Sequence, residues 1–379
     1  MAGGLASAPP NPARLLRLAV LGTMLSAVSL WACSVPVFRY ALEHWPPDSY
    51  QAIVFHRGPL TAPQQTLATE LGRDGLAGRL RANVSVQTVD LAQSTTPEML
   101  ELWERAAPAT LPWLIVRYPQ ASRRPDNVVS APLTAEALQQ SLDSPARTEL
   151  FRRLARGDSA VWVLMEIGNP KRDDETTTLV ETRLAYLATV LKLPATDPQD
   201  VATGLFSPPE GGLKLAFSLL RVSRSDPAEA TFVRMLLGSE SDLAGIQEPM
   251  LFPVFGRGRA LYALAGKGIS HETLDEAATF LIGKCSCQVK ELNPGVDLLL
   301  AADWDKLMKS QSSGDQGLPN LPALAEAAPE TVRISGSAEE SAVPANPQRL
   351  QPRSGSFWFT ATLALAGFIA AGLLWLRRK

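Results

Sequence analysis

The chain has an apolar run near each end, and each run carries its basic residues on the side nearer its own terminus. Residues 357–376 are apolar and without charge, and Arg377, Arg378 and Lys379 close them. Those twenty residues, at about 1.5 Å each, reach about 30 Å as a helix, the thickness of a hydrocarbon core. Arg14 and Arg17 precede the other run, residues 18–38. Short flanks rich in Arg and Lys stay on the cytoplasmic side. The expectation is therefore a chain with residues 1–17 and 377–379 inside and the roughly 320 residues between the two spans outside.

The first run has two readings. Leu30, Ala32 and Cys33 resemble the lipobox of bacterial lipoprotein signal peptides, in which the Cys becomes lipidated; Trp31 is bulkier than the residue usual there. The other reading is an uncleaved signal anchor, because the apolar character continues through Val35, Val37 and Phe38 and signal peptides have shorter cores. Either way the chain is attached to a cell membrane at both ends, with its main part extracytoplasmic (periplasmic in a bacterial envelope). Both termini are cytoplasmic unless Cys33 is processed.

Apolar residues make up 46% and charged ones 20%, as in globular proteins, so the outer part has enough material for a core. A net charge of −2 gives no electrostatic basis for a nucleic-acid partner. Three cysteines do not make a disulfide scaffold. From residue 310 to 356 the chain turns to Ser, Pro, Gly, Ala, Gln and Glu, a composition that cannot offset its ordering entropy. It reads as a disordered linker before the second span.

Between residues 49 and 309 the order of predicted elements is informative. Residues 52–55 read as a buried strand, 63–80 as a helix and 84–89 as an alternating strand. Thr96 and Pro97 open a helix; Pro112 introduces a strand at 113–118; a return strand at 127–133 leads to a helix at 135–142. The order then recurs: strand 160–165, helix 175–191, strand 213–222, helix 226–236, strand 250–255, a turn at 256–259 into strand 260–264, and a helix at 270–282.

This repeated β-α-β-α-β-β-α order resembles the thioredoxin-like fold, with Pro112 in the first unit and Pro249, or alternatively Pro253, in the second at the place where that family carries a proline before its third strand. The resemblance implies an α/β chain of two thioredoxin-like domains, 49–145 and 146–309, flanked by the spans at 18–38 and 357–376. In that family a Cys-x-x-Cys follows the first strand, where the helix dipole favours thiolate. The matching stretches here, residues 56–61 and 166–170, hold no cysteine. The resemblance then implies degenerate modules that hold proteins or ligands, and no enzymatic activity, cofactor or catalytic residue is expected.

Cys285 and Cys287 form the remaining thiol feature, a Cys-x-Cys past the last predicted helix. A structural disulfide, thiol-disulfide exchange and soft-metal binding are its three readings. A zinc site lacks partners, since His271 is the nearest histidine. The remaining features have structural readings. His56 is a surface or capping histidine, and Asp173-Asp174-Glu175 complements a helix N-terminus. Gly256-Arg257-Gly258-Arg259 is a polar hairpin turn, with contact to a phosphate or acidic lipid headgroup as its other reading; Arg152, Arg153 and Arg156 are a solvated helix face, and Asn83-Val84-Ser85 is a chance glycosylation sequon. The expectation is a non-catalytic accessory protein that acts with other envelope or membrane proteins. The alternative is a thiol-exchange or copper-handling protein using Cys285 and Cys287.

Overall fold

The computed structural model describes residues 34–72, 75–93, 95–107, 110–285, 289–312 and 331–334. All of them lie in one compact unit, residues 1–337. Residues 18–33 of the first expected span (18–38) and the whole second span (357–376) fall outside the described residues, as do Cys33 and Cys287. Among the described residues no helix is long and apolar enough to cross a membrane.

The fold is mixed α/β with two sheets. Helix α1 (Val37–His44) leads into β1 (Tyr50–His56), α2 (Ala62–Glu70), α3 (Leu76–Arg79), β2 (Val84–Asp90) and α4 (Pro97–Ala106). Then come β3 (Trp113–Arg117), β4 (Asn127–Pro132), α5 (Ala135–Leu142) and α6 (Pro145–Ala155). The second part runs β5 (Ala160–Glu166), α7 (Pro170–Val190), α8 (Pro198–Ala202), β6 (Phe217–Ser223), α9 (Ala230–Leu237), β7 (Met250–Phe255), β8 (Arg259–Ala260), β9 (Leu264–Ala265) and α10 (His271–Ile282). It closes with β10 (Val296–Asp297), α11 (Trp304–Ser312) and β11 (Thr331–Ile334).

The first sheet has the order β2-β1-β3-β4, with β1 parallel to β2 and antiparallel to β3. The second repeats that pattern as β6-β5-β7-β8, extended by β10 and β11 at its edges, with β9 pairing with β7. Leu111–Pro112 is the cis peptide among the described residues. Helices start where the sequence supplies caps: Thr96, Thr134, Ser144 and Ser270 each accept a backbone N–H from the first turn, satisfying donors that the helix itself cannot.

Alternation along the strands sends side chains to three apolar layers. Ile53, Phe55 and Ile115 face α4, which buries Met99 and Leu102 against them; burying such a side chain contributes about 1.5–3 kcal/mol. Val54, Leu114 and Val116 share one core with Val161, Val163, Leu220 and Phe252, so the two sheets pack through a common interior and α6 and α9. Trp162, Leu164, Leu219 and Phe255 face a third layer with α1, α7 and α10.

Several boundaries differ from expectation for local reasons. The helix expected over 63–80 is two pieces, α2 and α3, because the chain turns at Leu71 and Gly72, whose amide bonds back to Thr69 O. Helix α7 starts at Pro170, where Asn169 caps it, and not at Glu175. The strand expected over 260–264 is broken into β8 and β9. Val35, Val37 and Phe38, read as the end of the first apolar run, lie in the folded core. Pro36 bridges Lys284, and the Val37 amide donates to Gly283 O at 3.0 Å. Within the stretch expected as linker, β11 pairs with the edge of β6.

Buried charges tie the two sheets together. Arg147 is 1% exposed, and its guanidinium donates to Ser144 Oγ and to the Gln140, Ser141 and Leu299 carbonyls. Glu229 accepts from Ser144 Oγ and from the Ala146 amide at 2.7 Å, and burial pushes its carboxyl above the usual range. Asn83 joins three segments: its Nδ2 donates to Asp48 O and Leu298 O, and its Oδ1 accepts from the Leu300 amide.

Candidate functional site

The stretches that follow β1 and β5 are where the resembled fold would place reactive thiols. In the first, the turn is closed by polar side chains. His56 Nδ1–H donates to Gly58 O at 2.8 Å, and the Gly58 and Ala92 amides both donate to Asp90 Oδ1 at 2.9 Å. The Ala92 amide, then that of Gly58, holds the Asp90 carboxyl below its ordinary value. Gly58 has φ +69°, a left-handed conformation that suits glycine.

The second stretch uses the same device from a different element. Asp173, within the first turn of α7, is buried and accepts the Ile167 amide at 3.1 Å. Gly168 has φ +80°, and Asn169 caps the Arg172 amide. In each stretch a carboxylate accepts one backbone amide, that of Gly58 in the first and that of Ile167 in the second.

A groove of about 440 Å³ opens beside the second stretch, between the first turns of α7, the loop before β7 and the β9–α10 connection. Glu175, Thr176 and Leu179 line one wall; Glu248, Pro249 and Lys267 line the other, with an ion pair between Arg172 and Glu248 across the opening. Gly266 has φ +51° and donates to Pro249 O at 2.9 Å; a Cβ there would meet Glu248 Cγ at 3.0 Å, so glycine keeps this wall close. Arg172 and Glu248 are about two-fifths exposed, 42% and 40%. Such a pair contributes at most about 1 kcal/mol and yields readily to other charged groups. The lining carries both signs of charge, Arg172 and Lys267 with Glu175 and Glu248, beside the apolar Leu179, Pro249 and Ile269. The sequence reading missed Glu248, Gly266 and Lys267; Gly266-Lys267-Gly268 between a strand and a capped helix was the available signal.

The other predicted residues are dispersed. Cys285 is buried among apolar side chains, and its amide donates to Val35 O at 2.9 Å. Among the described residues no group of three or more His, Cys, Asp and Glu side chains is placed to hold a metal ion. His44 Nε2 contacts Leu205 O, and His271 is an exposed first residue of α10. Asp174 pairs with Arg221 at 3.2 Å.

The arginines of the 256–259 turn point inward. Arg257 binds the Leu42 and Glu43 carbonyls, and Arg259 binds Asp297 and the Asn293 and Pro294 carbonyls. Arg153 corrects the expectation of a solvated face: it is 6% exposed, donating to Glu149 and to Leu219 O at 2.7 Å. Arg152 pairs with Glu149 and Arg156 is exposed. No known protein family matches the sequence, and no curated protein matches it either.

Proposed function

We propose that the chain is a membrane-attached, extracytoplasmic accessory protein, built from two degenerate thioredoxin-like units, that holds a partner protein of the envelope in the groove beside α7. The observation that carries this reading is the way the two stretches after β1 and β5 are closed. Asp90 accepts the Gly58 amide and Asp173 the Ile167 amide, and a groove with charged walls stands next to the second. The shared strand order of the two sheets and the proline before β3 support the thioredoxin-like assignment. A fold does not bring its activity with it, so the function rests on the groove. Attachment at both ends keeps that groove near other membrane proteins and raises their effective concentration.

The test is native electrophoresis of membranes that contain the full chain, solubilised in mild detergent. The expected result is migration in a complex larger than the chain alone, lost on Lys267→Glu or Thr176→Arg with the amount of folded chain unchanged. Migration as the isolated chain, or a complex indifferent to both substitutions, overturns the reading.

A further inference from the structure

We propose that the end of the second sheet at which β5 and β6 begin lies against the bilayer, so that the groove at the opposite end opens away from it. This rests on the reading of the terminal apolar runs as membrane segments. Three observations converge on that end.

The first is where the chain enters the fold. The Ser34 amide donates to Asp200 Oδ2 at 2.8 Å, and Ser34 Oγ accepts the Asp197 amide at 2.9 Å. Val35 accepts the Cys285 amide. The fold therefore holds Ser34 and Val35, which follow residues 18–33 of the apolar run directly in sequence. The run left for the membrane is residues 18–33, sixteen residues, or about 24 Å as a helix against about 30 Å for a hydrocarbon core. Retained as an anchor or replaced by lipid on Cys33, it holds Ser34 at the bilayer boundary. Helix α10 runs away from β9, which pairs with Met250 opposite Met165, so Cys285 beyond its far end comes to the end where β5 starts.

The second is where the chain leaves. β11 is antiparallel to β6, with Ile334 opposite Phe217, and Phe217 is opposite Ala160 of β5. The path toward residue 357 thus departs from the same end. The 22 residues between Ile334 and Phe357 span up to about 75 Å when extended, enough to return to the surface without strain.

The third is the surface itself. Four of the six large apolar side chains exposed among the described residues belong to segments that meet there. Val190, 45% exposed, is the last residue of α7, which runs back along β5; Val201, 39%, follows Asp200; Val289, 51%, and Leu292, 74%, precede Asn293 and Pro294, whose carbonyls bind Arg259 of β8, opposite Phe255. The exposed charges there are of both signs, Arg156, Lys192, Lys214 and Lys284 with Asp197 and Glu291, around the apolar side chains. β5 has seven residues, which at about 3.3 Å each set the groove about 23 Å above this end.

The test places a photo-activatable benzoylphenylalanine at position 201, 292, 175 or 267 of the full chain in phosphatidylcholine vesicles, with flotation as the control for attachment. The expected result is phospholipid adducts at 201 and 292 at least fivefold above those at 175 and 267. Equal adducts at all four positions, or none at 201 and 292 in chain that floats with the vesicles, overturn the orientation while leaving attachment intact. Failure of the chain to float overturns the membrane reading and the orientation with it.

Discussion

The backbone amide of Ser34 donates to the carboxylate of Asp200 over 2.8 Å, across 166 residues of sequence. The Ser34 hydroxyl donates to the same oxygen, and both residues are buried. A buried donor left without an acceptor costs about 1–3 kcal/mol. Asp200→Ala is therefore expected to loosen the Ser34–His44 segment first. Limited proteolysis of the full chain at increasing urea reads this as cleavage before residue 45 at lower urea than in the native protein. Unchanged protection of that segment counts against the contact.

Asn83 uses all of its side chain between Asp48, Leu298 and Leu300. Three neutral hydrogen bonds at about 1 kcal/mol each make Asn83→Ala a loss of about 2–4 kcal/mol. Asn83→Asp keeps the acceptor for the Leu300 amide but sets a carboxylate oxygen against two carbonyls, so it restores little. Urea denaturation followed by tryptophan fluorescence measures both. The same engagement predicts no glycan on the Asn83 sequon in the folded protein, checked by intact mass after expression in a glycosylating host.

The carboxyl of Glu229 is raised by burial, and its hydrogen bonds with Ser144 and Ala146 and the charge of Arg147 offset only part of that rise. A raised folded value means that the folded state binds the proton more tightly than the unfolded one. Its contribution to stability is then fully present below the unfolded value of 4.5 and is lost as pH rises through the higher folded value. Relative to Glu229→Gln, which does not titrate, the native protein is expected to lose stability as pH rises from about 4.5 toward neutrality. Urea midpoints of both proteins across that range decide it; a difference that grows with pH is the contrary outcome.

Cys285 is 1% exposed within the layer that holds Val35, Leu281 and Ile282. Access controls thiol reactivity, so Cys285 is expected to resist alkylation in native protein, before and after mild reductant, and to label on unfolding. Peptide-resolved mass spectrometry follows it separately from Cys33 and Cys287. Rapid native labelling of Cys285 would restore the thiol-exchange alternative.

The element order was legible because strand and helix periodicities differ and because Thr96, Thr134 and Ser270 announce their helices. Local pattern does not reveal which polar residues turn inward. Arg153 and Arg257 read as surface residues, yet they reach the Leu219 and Leu42 carbonyls, acceptors fixed by distant segments. Likewise, Val37 and Phe38 looked like membrane residues because an apolar core and a bilayer ask for the same side chains. The groove was illegible for a related reason. Arg172, Glu248 and Lys267 are ordinary surface residues in sequence, and only the return of β7 beside the start of α7 brings them together.

Gly238 shows how closely α9 is bolted to the first sheet. A Cβ at Gly238 would lie 1.8 Å from the Tyr118 hydroxyl, which donates to Arg234 O at 2.6 Å, while Arg234 Nη1 donates to Val128 O at 2.8 Å. Gly238→Ala must therefore expel the Tyr118 ring, losing its hydrogen bond and its burial, at a cost of about 2–4 kcal/mol. In a Tyr118→Ala background the ring is gone and the tight contact with Arg234 O at 3.1 Å remains, so the same substitution is expected to cost about 1 kcal/mol or less and the two changes are non-additive. The phenol supplies an independent readout. Burial pushes Tyr118 up to about 12, and a ring driven into solvent by Gly238→Ala should ionise near the ordinary value of about 10. Absorbance at alkaline pH sums over five tyrosines, so the Tyr118 transition is the difference between each protein and its Tyr118→Phe counterpart; an unshifted high-pH transition in Gly238→Ala would mean that the ring had stayed in place.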